Sequence, residues 1–314
     1  MAHPTLVNAR QALIGYLLML VTGIGWAGAW ITAKIAAHDA PPATVTVGRF
    51  VVAALALLPV WFALERTRPR PQGQQWGLLA VMGLLGAATY TVLFLYGVRL
   101  APSSDGAVLT PGFAGVFAMG ITALQARKLP AAQAMAGAGL ALAGCLLVGW
   151  NAMRAAEAGS TRPWGDLLFV LAALVWAVYT VIGKRASGGG VGPVTSILAV
   201  SVVGAVALAP LALLLDGPPQ LSSWGRDAWV NVLYLGLGAT AVAFVTYYAA
   251  IQIIGVDRAA PAMGLVPLFG VLGAAFILDE PLTLLHALGG ALVVAGIALP
   301  PLWANLRARR VRAA

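Results

Sequence analysis

Long apolar runs alternate with short polar stretches along the whole chain. A run of about 20 apolar residues is long enough to cross the roughly 30 Å hydrocarbon core of a bilayer as a helix. The run VNVLYLGLGATAVAFVTYYAA is apolar on every face, whereas a transmembrane β-strand alternates apolar and polar residues over about ten positions. The pattern therefore favours helices over a transmembrane barrel. It predicts ten helices, over residues 13–36, 44–64, 76–98, 102–125, 132–150, 164–186, 192–214, 228–250, 259–278 and 283–303.

The first apolar run also resembles a signal peptide, because Arg10 precedes it and small residues lie within it. We expect no cleavage, since the run is longer than the core of about 7 to 15 residues that signal peptides have. Its second half also matches a later internal segment, as described below.

Composition and charge agree with a membrane protein. Hydrophobic residues make up 61% of the chain, charged residues 9%, and mean hydropathy is +0.89, whereas roughly a quarter of the residues of a soluble domain are charged. The net charge of +9 indicates orientation rather than nucleic-acid binding, because Lys and Arg collect on the cytoplasmic side of membrane proteins. With the N-terminus inside, thirteen basic residues fall on that side and six on the other. We expect cytoplasmic termini, a basic tail that anchors topology, and a multi-pass protein of a bacterial inner membrane.

The chain aligns with itself at a shift of 152 residues, without a gap across its middle. The matches are Gly86 with Gly238, Tyr96 with Tyr248, Asp105 with Asp257, Phe117 with Phe269, Gly137 with Gly289 and Gly144 with Gly296. This predicts two five-helix repeats, residues 1–152 and 153–314. Because five is odd, the second repeat enters the membrane from the opposite side. Such inverted repeats recur in secondary transporters that work by alternating access.

Four segments carry a resemblance to a known family: GWAGAWITAK, APPATVTVGRF, TYTVLFLYGVRLAPSSDGAVLTP and LDEPLTLLHALGGALVVAGIAL. Their order resembles the EamA-type drug/metabolite transporter (DMT) superfamily over nearly the whole chain. Within it, the chain most resembles the YddG group, exporters of aromatic and other amino acids. The resemblance implies a cavity walled by helices 1, 3, 4, 6, 8 and 9, with helices 5 and 10 as support.

No motif of an enzyme, a nucleotide site or a metal site is present in the sequence, so we expect no catalysis and no cofactor. All ten acidic residues lie in loops or close to predicted helix ends, and the three histidines lie at or outside such ends. A proton-coupled carrier normally holds an ionisable group at membrane depth. The sequence therefore favours facilitated transport, with proton antiport as the alternative.

Three basic residues are candidates for gating. Lys34 and Lys184 match at a shift of 150 residues, each at the C-terminal end of its helix, where a cation is favourable and a long side chain reaches the interface. Anchoring of the helix end and attraction of an anionic group both fit this position. Arg49 lies near the start of helix 2 and has no counterpart in the second repeat, where the shift leads to Ala199 or its neighbours.

Aromatic pairs at helical spacing are the candidates for substrate contact, because residues three or four apart share one helix face. The alternative is packing between helices. The pairs are Trp26 with Trp30, Tyr90 with Phe94, Trp176 with Tyr179, and Phe244 with Tyr248. Such rings inside a cavity suit a neutral or zwitterionic organic molecule.

Prolines within helices predict breaks along the substrate path, although fixed kinks needed only for packing fit equally well. The prolines concerned are Pro111, Pro261 and Pro267. The small-residue stripes AGAGLALAG and ALGGALVVAG predict close packing of helices 5 and 10. The lone Cys145 is interpreted as a packing residue.

The sequence thus predicts an all-α membrane protein that exports small metabolites, amino acids above all. We expect a monomer, with a homodimer as the alternative. A drug-like or nucleotide-sugar cargo on the same scaffold is the runner-up. A receptor or scaffold subunit without flux is the third class. Nucleotide sugars are disfavoured because a diphosphate needs several cations, and only three basic residues lie near the expected cavity.

Overall fold

The computed structural model describes residues 9–155, 159–186 and 191–313. Within these ranges, ten helices are long and apolar enough to span a membrane, which confirms the predicted all-α class and helix number. Their bounds are α1 Ala9–Asp39, α2 Pro42–Leu64, α3 Gln74–Leu100, α4 Ser103–Ala126, α5 Ala132–Ala155, α6 Arg162–Ala186, α7 Pro193–Leu215, α8 Arg226–Ile254, α9 Ala260–Ile277 and α10 Leu284–Ala313.

The short connections place the helix ends at two faces of the molecule. The face that holds the start of α1 and the end of α10 is called the terminal face, and the other the distal face. The ends of α2, α4, α6 and α8 and the starts of α3, α5, α7 and α9 lie at the terminal face. The ends of α1, α3, α5, α7 and α9 and the starts of α2, α4, α6, α8 and α10 lie at the distal face.

Two helices contain a π-helical segment that the sequence analysis did not predict. In α3 it is Gly83–Thr89, and in α8 it is Tyr234–Val242. A shift of 152 residues superposes the two segments almost completely. Both are rich in glycine and alanine, and in each a threonine hydroxyl donates to the carbonyl five residues earlier, Thr89 to Leu84 and Thr240 to Leu235. π-Helical turns occur frequently at functional sites.

Close glycine contacts fasten α5 to α10, as the small-residue stripes predict. Gly144 lies against the backbone carbonyl of Gly289, and Gly137 lies against that of Gly296. The 152-residue shift converts one contact into the other. The two five-helix repeats, residues 1–152 and 153–314, and their inversion in the membrane stay predictions.

Acidic side chains cap the starts of three helices by accepting hydrogen bonds from backbone amides. The Glu65 carboxylate accepts from the amides of Val194 and Thr195 at 3.1 and 2.7 Å, at the start of α7. The Glu280 carboxylate accepts from the amides of Ser103 and Ser104 at 2.7 and 2.9 Å, at the start of α4. Asp216 caps α2 in the same way through Thr44. A carboxylate is favourable there because the first amides of a helix lack partners within it.

Candidate functional site

A central cavity of about 340 Å³ lies among the helices, near the lower end of the range of about 300–1,000 Å³ typical of small-molecule sites. Its walls come from α1, α3, α4, α6, α8 and α9, as the resemblance implied, but also from α2, α7 and α10. The described residues of its wall include Trp26, Trp30, Arg49, Tyr90, Thr91, Phe94, Pro111, Trp176, Tyr179, Ser201, Thr240 and Phe244.

Six aromatic residues of the cavity wall form a continuous series of ring contacts, called here the aromatic cluster. It runs from α1 through α8, α6 and α3 and back to α1. The centroid distances are 5.0 Å for Trp26–Phe244, 6.4 Å for Phe244–Trp176, 4.9 Å for Trp176–Tyr90, 6.0 Å for Tyr90–Phe94 and 4.6 Å for Phe94–Trp30. Aromatic pairs prefer such offset and edge-to-face arrangements. The cluster gives the cavity a wall of ring faces.

The π-helical segment of α8 positions two residues of the site. The Trp26 indole N–H donates to the carbonyl of Ala239 at 3.0 Å, and Arg49 Nε donates to Thr240 Oγ1 at 2.9 Å. The neighbouring residues Ala239 and Thr240 thus hold one side chain from α1 and one from α2. An ordinary α-helical turn would keep the carbonyls in its own ladder.

Arg49 is the only charged residue among the described residues that line the cavity. Its exposed fraction is 8%. Its carbon Cζ lies 5.4 Å from the centroid of the Phe50 ring. The cavity therefore combines an apolar wall with a single buried positive charge.

A layer of buried rings separates the cavity from the distal face. Trp30 packs edge-on against Phe94 and Phe169, with centroids 4.6 and 5.6 Å apart. Above this layer, the Ser103 hydroxyl donates to the carbonyl of Trp30 at 3.1 Å. Lys34 donates to the carbonyls of Val98 and Ala101 at 2.5 and 2.8 Å. These bonds join α1, α3 and α4 at the distal face.

Next to that layer lies a buried cluster of ionisable groups. Arg162 binds Asp105 through two hydrogen bonds of 2.8 and 3.0 Å, and His286 Nε2 lies 2.7 Å from Asp105 Oδ1. Asp166 is also buried, and its Oδ1 has no partner within the described residues. On its other side, His286 Nδ1 lies 3.3 Å from the amide nitrogen of Thr283 and 3.0 Å from Thr283 Oγ1.

This cluster corrects one step of the sequence analysis. Asp105 and His286 do lie in the first turns of their helices and Asp166 lies just after the first turn of α6, but none of the three is exposed. Their exposed fractions are 0%, 8% and 2%, because α4 packs against both α6 and α10. Proximity to a helix end therefore does not exclude a buried ionisable group.

The other predicted site residues divide into those at the cavity and those elsewhere. Tyr179 lines the cavity and stacks on Trp176, whereas Tyr248 lies in a neighbouring pocket with Glu65. Lys34 is bonded to the end of α3, and Lys184 is exposed. Neither lysine lines the cavity.

The three predicted helix breaks have different outcomes. Pro111 lines the cavity, but α4 continues through it without interruption. Pro261 lies at the start of a 3₁₀ turn, Ala260–Gly264, and Pro267 lies in the first turn of the helical segment Leu265–Ile277. A proline in a first turn removes no hydrogen bond of the helix.

Two hydroxyl groups of the cavity were not among the predicted site residues. Thr91 Oγ1 and Ser201 Oγ are buried and have no partner within the described part of the chain. Both residues belong to the cavity lining. Ser201 lies 152 residues after Arg49, so the internal repeat was a signal that could have found it.

Comparison with known proteins adds a family. The sequence profile of the EamA-like transporter family matches this chain twice, over residues 13–150 and 163–300. A solved crystal structure has the same fold, with a TM-score of 0.65 over 94% of this chain and 98% of that chain, at 21% identity.

Curated relatives are similar over most of their length. A protein of Archaeoglobus fulgidus named "Uncharacterized transporter" is 26% identical over 90% of this chain and 96% of its own. A "Probable terminal-alkyne amino-acid exporter" of Streptantibioticus cattleyicolor is 26% identical over 90% and 91%. A "Probable amino-acid metabolite efflux pump" of Escherichia coli is 24% identical over 93% and 94%.

Proposed function

Because this chain belongs to the EamA-like transporter family, we propose that it exports small organic metabolites, amino acids above all, by alternating access through the central cavity. The proposal places the chain in the cytoplasmic membrane of a bacterium as a monomer, with both termini in the cytoplasm and its two repeats inverted. The partners it needs are the bilayer and a small-molecule substrate.

The observation that carries the proposal is the aromatic cavity with one cation. Its volume of about 340 Å³ suits one small metabolite at a time. Ring faces accept an apolar side chain or an ammonium group, and the polar groups are few. The names of the Streptantibioticus cattleyicolor and Escherichia coli relatives, which both refer to amino acids, favour amino acids among such molecules. A nucleotide diphosphate would need more than the single Arg49.

The arrangement of the two faces supports one step of an alternating cycle. The distal face is joined by Lys34, Ser103 and the Glu280 cap. The cavity lining continues toward the terminal face along α4, from Thr110 to Ala118. This conformation would receive cargo from the terminal side. Release on the distal side requires those bonds to break while an equivalent closure forms at the terminal face.

Uptake by purified protein in liposomes tests the proposal. Saturable uptake of particular radiolabelled amino acids is expected, and Trp26→Ala and Trp176→Ala should each lower it roughly tenfold, because each removes a large wall surface worth about 1–2 kcal/mol. Trp164→Ala is the matched control, since the Trp164 side chain is 67% exposed and should leave uptake near the wild-type level. Folded wild-type protein that takes up no amino acid would contradict the proposal.

Proton antiport is a second candidate mechanism, and the buried Asp105 cluster favours it. Around Asp105 stand Arg162 and Asp166 from α6, His286 from α10, and the opposite charges of Lys34 and Glu280. An imposed pH gradient distinguishes the two. Facilitated transport predicts no effect after correction for substrate charge, whereas antiport predicts an acceleration that His286→Gln abolishes.

A further inference from the structure

We propose that Arg49 binds the carboxylate of the cargo, so that a free carboxylate is a requirement for transport. This inference rests on the proposed export of small metabolites through the central cavity and names the chemical class that the cavity selects. It concerns a residue to which sequence reasoning assigned only a gating or helix-end charge.

The Arg49 charge is buried without a counter-charge. Within the described residues, Asp105 has Arg162 and His286 as partners, and no carboxylate is paired with Arg49. Removing a guanidinium from water without a partner costs several kcal/mol. Within membrane-spanning helices such a group is expected to face a partner or a cavity where it acts. A bound anion would supply the missing charge.

The guanidinium is held through its Nε atom, so that its two Nη groups remain available for hydrogen bonds. Its Nε–H donates to Thr240 Oγ1 at 2.9 Å, and that hydroxyl in turn donates to the carbonyl of Leu235 at 2.8 Å. No acceptor for the two Nη groups is found among the described residues. Because the planar guanidinium presents parallel N–H groups, it matches the two oxygens of a carboxylate.

Two further groups of the cavity lack partners. Thr91 and Ser201 have exposed fractions of 1% and 0%, and their hydroxyls are unbonded within the described ranges. A buried hydroxyl without a partner is unfavourable. Together with Arg49, they offer hydrogen bonds to a polar head group of the cargo while the aromatic cluster contacts its apolar part.

The same site disfavours cationic cargo. None of the described lining residues is Asp or Glu, so a drug-like cation would meet Arg49 without compensation. A zwitterion escapes this repulsion, because its carboxylate pairs with Arg49 and its ammonium group can lie over the faces of Trp26, Tyr90 or Trp176.

Competition against wild-type uptake is the first arm of the test. A transported amino acid is compared with its primary amide, its methyl ester and the corresponding decarboxylated amine. The three carboxylate-free analogues are expected to inhibit at least tenfold more weakly, since each loses the charge-assisted hydrogen bonds to a buried guanidinium. Equal inhibition by the amino acid and its amide would overturn the assignment, whatever the variants do.

Variants form the second arm. Arg49→Gln is expected to raise KM for the amino acid at least tenfold and to remove the preference over the amide, with Arg49→Lys intermediate because an ammonium lacks the paired geometry. Arg99→Gln is the control, since Arg99 is exposed at the end of α3. A folded Arg49→Gln protein with wild-type KM and preference refutes the role of Arg49. Wild-type uptake of the amide and amine but not of the amino acid would refute the carboxylate requirement while transport itself stands, and no uptake of any of them would refute the proposed function.

Discussion

Lys34 and Lys184 occupy equivalent positions in the two repeats, but their side chains have different surroundings. Lys34 donates to two carbonyls at the end of α3, Val98 and Ala101, whereas Lys184 is exposed at the end of α6. The last carbonyls of a helix lack partners within it, and a cation satisfies them well. Lys34 is therefore placed to stabilise the distal face rather than to contact cargo.

Lys34→Met is expected to destabilise the protein by roughly 2 kcal/mol, because it removes charge-assisted hydrogen bonds and leaves two carbonyls unsatisfied. The thermal midpoint of the purified protein in detergent should fall by several degrees, with KM for cargo unchanged. Lys184→Met is the matched control and should unfold like the wild type. A normal midpoint combined with a raised KM in Lys34→Met would instead assign Lys34 to the transport path.

At the residue scale, spacing along a helix predicted ring positions but not hydrogen bonds. Seven of the eight predicted aromatic residues line the cavity, all except Tyr248. Tyr248 lies four residues after Phe244 on the same helix face. The central cavity nevertheless ends between the two side chains. That Thr91 lacks a partner was not predictable, because hydroxyls are common in membrane helices and only the packed structure shows which ones lack partners. Ser201 could have been singled out only as the position 152 residues after Arg49.

The π-helical segments are the elements on which the site depends. They widen α3 and α8 where the aromatic cluster and Arg49 meet, and Ala239 and Thr240 of one segment hold Trp26 and Arg49. Sequence periodicity could not predict them, because a single wide turn shifts the pattern by only one residue within a run that is apolar on every face. The internal repeat relates the two π-helical segments to each other, but this is visible only after one of them has been located in the structure.

The glycine contacts between α5 and α10 give a prediction for an element pair. Gly144→Val is expected to lower the yield of folded protein several-fold, because its side chain would enter the space of the Gly289 carbonyl, and overpacking costs about 1–3 kcal/mol or more. Gly139→Val on the same helix is the control, since nothing lies within 4 Å of a Cβ built there. Fluorescence-detected gel filtration measures both yields. Equal yields would contradict close packing along this pair of helices.

At the scale of the whole molecule, the terminal and distal faces differ in the residues at one pair of loop positions that the 152-residue shift makes equivalent. Arg127 and Asp279 both have left-handed backbone, with φ of 49° and 52°, and lie 152 residues apart. The residues that follow them are Lys128 and Glu280. Glu280 caps the start of α4 at the distal face, whereas a lysine is unfavourable at the start of a helix, and Lys128 is exposed.

Glu280→Ala is expected to loosen the distal face, because the two amides and the hydroxyl bound by Glu280 lose their acceptor. A cysteine introduced at Thr110 should then react at least severalfold faster with a membrane-impermeant maleimide added from the distal side. The native Cys145 is 1% exposed and gives a low background. Asp227→Ala is the control, since Asp227 is exposed at the same face. An unchanged reaction rate would show that the Glu280 cap does not hold this face closed.

At the same scale, hydropathy predicted ten helices, and the family resemblance predicted the central cavity. The participation of α2, α7 and α10 in the wall was not predicted. Arg49 and Ser201 enter the cavity because α2 and α7 pack beside the two π-helical segments. No local pattern in α2 or α7 indicates that contact, since it depends on how the two repeats pack against each other.

The Glu280 cap, which has a lysine rather than a carboxylate at its equivalent position, has a kinetic consequence for a carrier without an energy source. Suppose that the Glu280 cap makes the state open to the terminal face the more populated one. Cargo arriving from the distal side then binds to a minor state, and its apparent affinity is the intrinsic affinity multiplied by the fraction of molecules in that state. An uncoupled carrier cannot move the equilibrium of its cargo, so kcat/KM must be equal in both directions. The weaker apparent binding from the distal side must then be matched by a larger kcat. Lys128→Glu, which places a carboxylate at the position equivalent to Glu280, should bring the two KM values together.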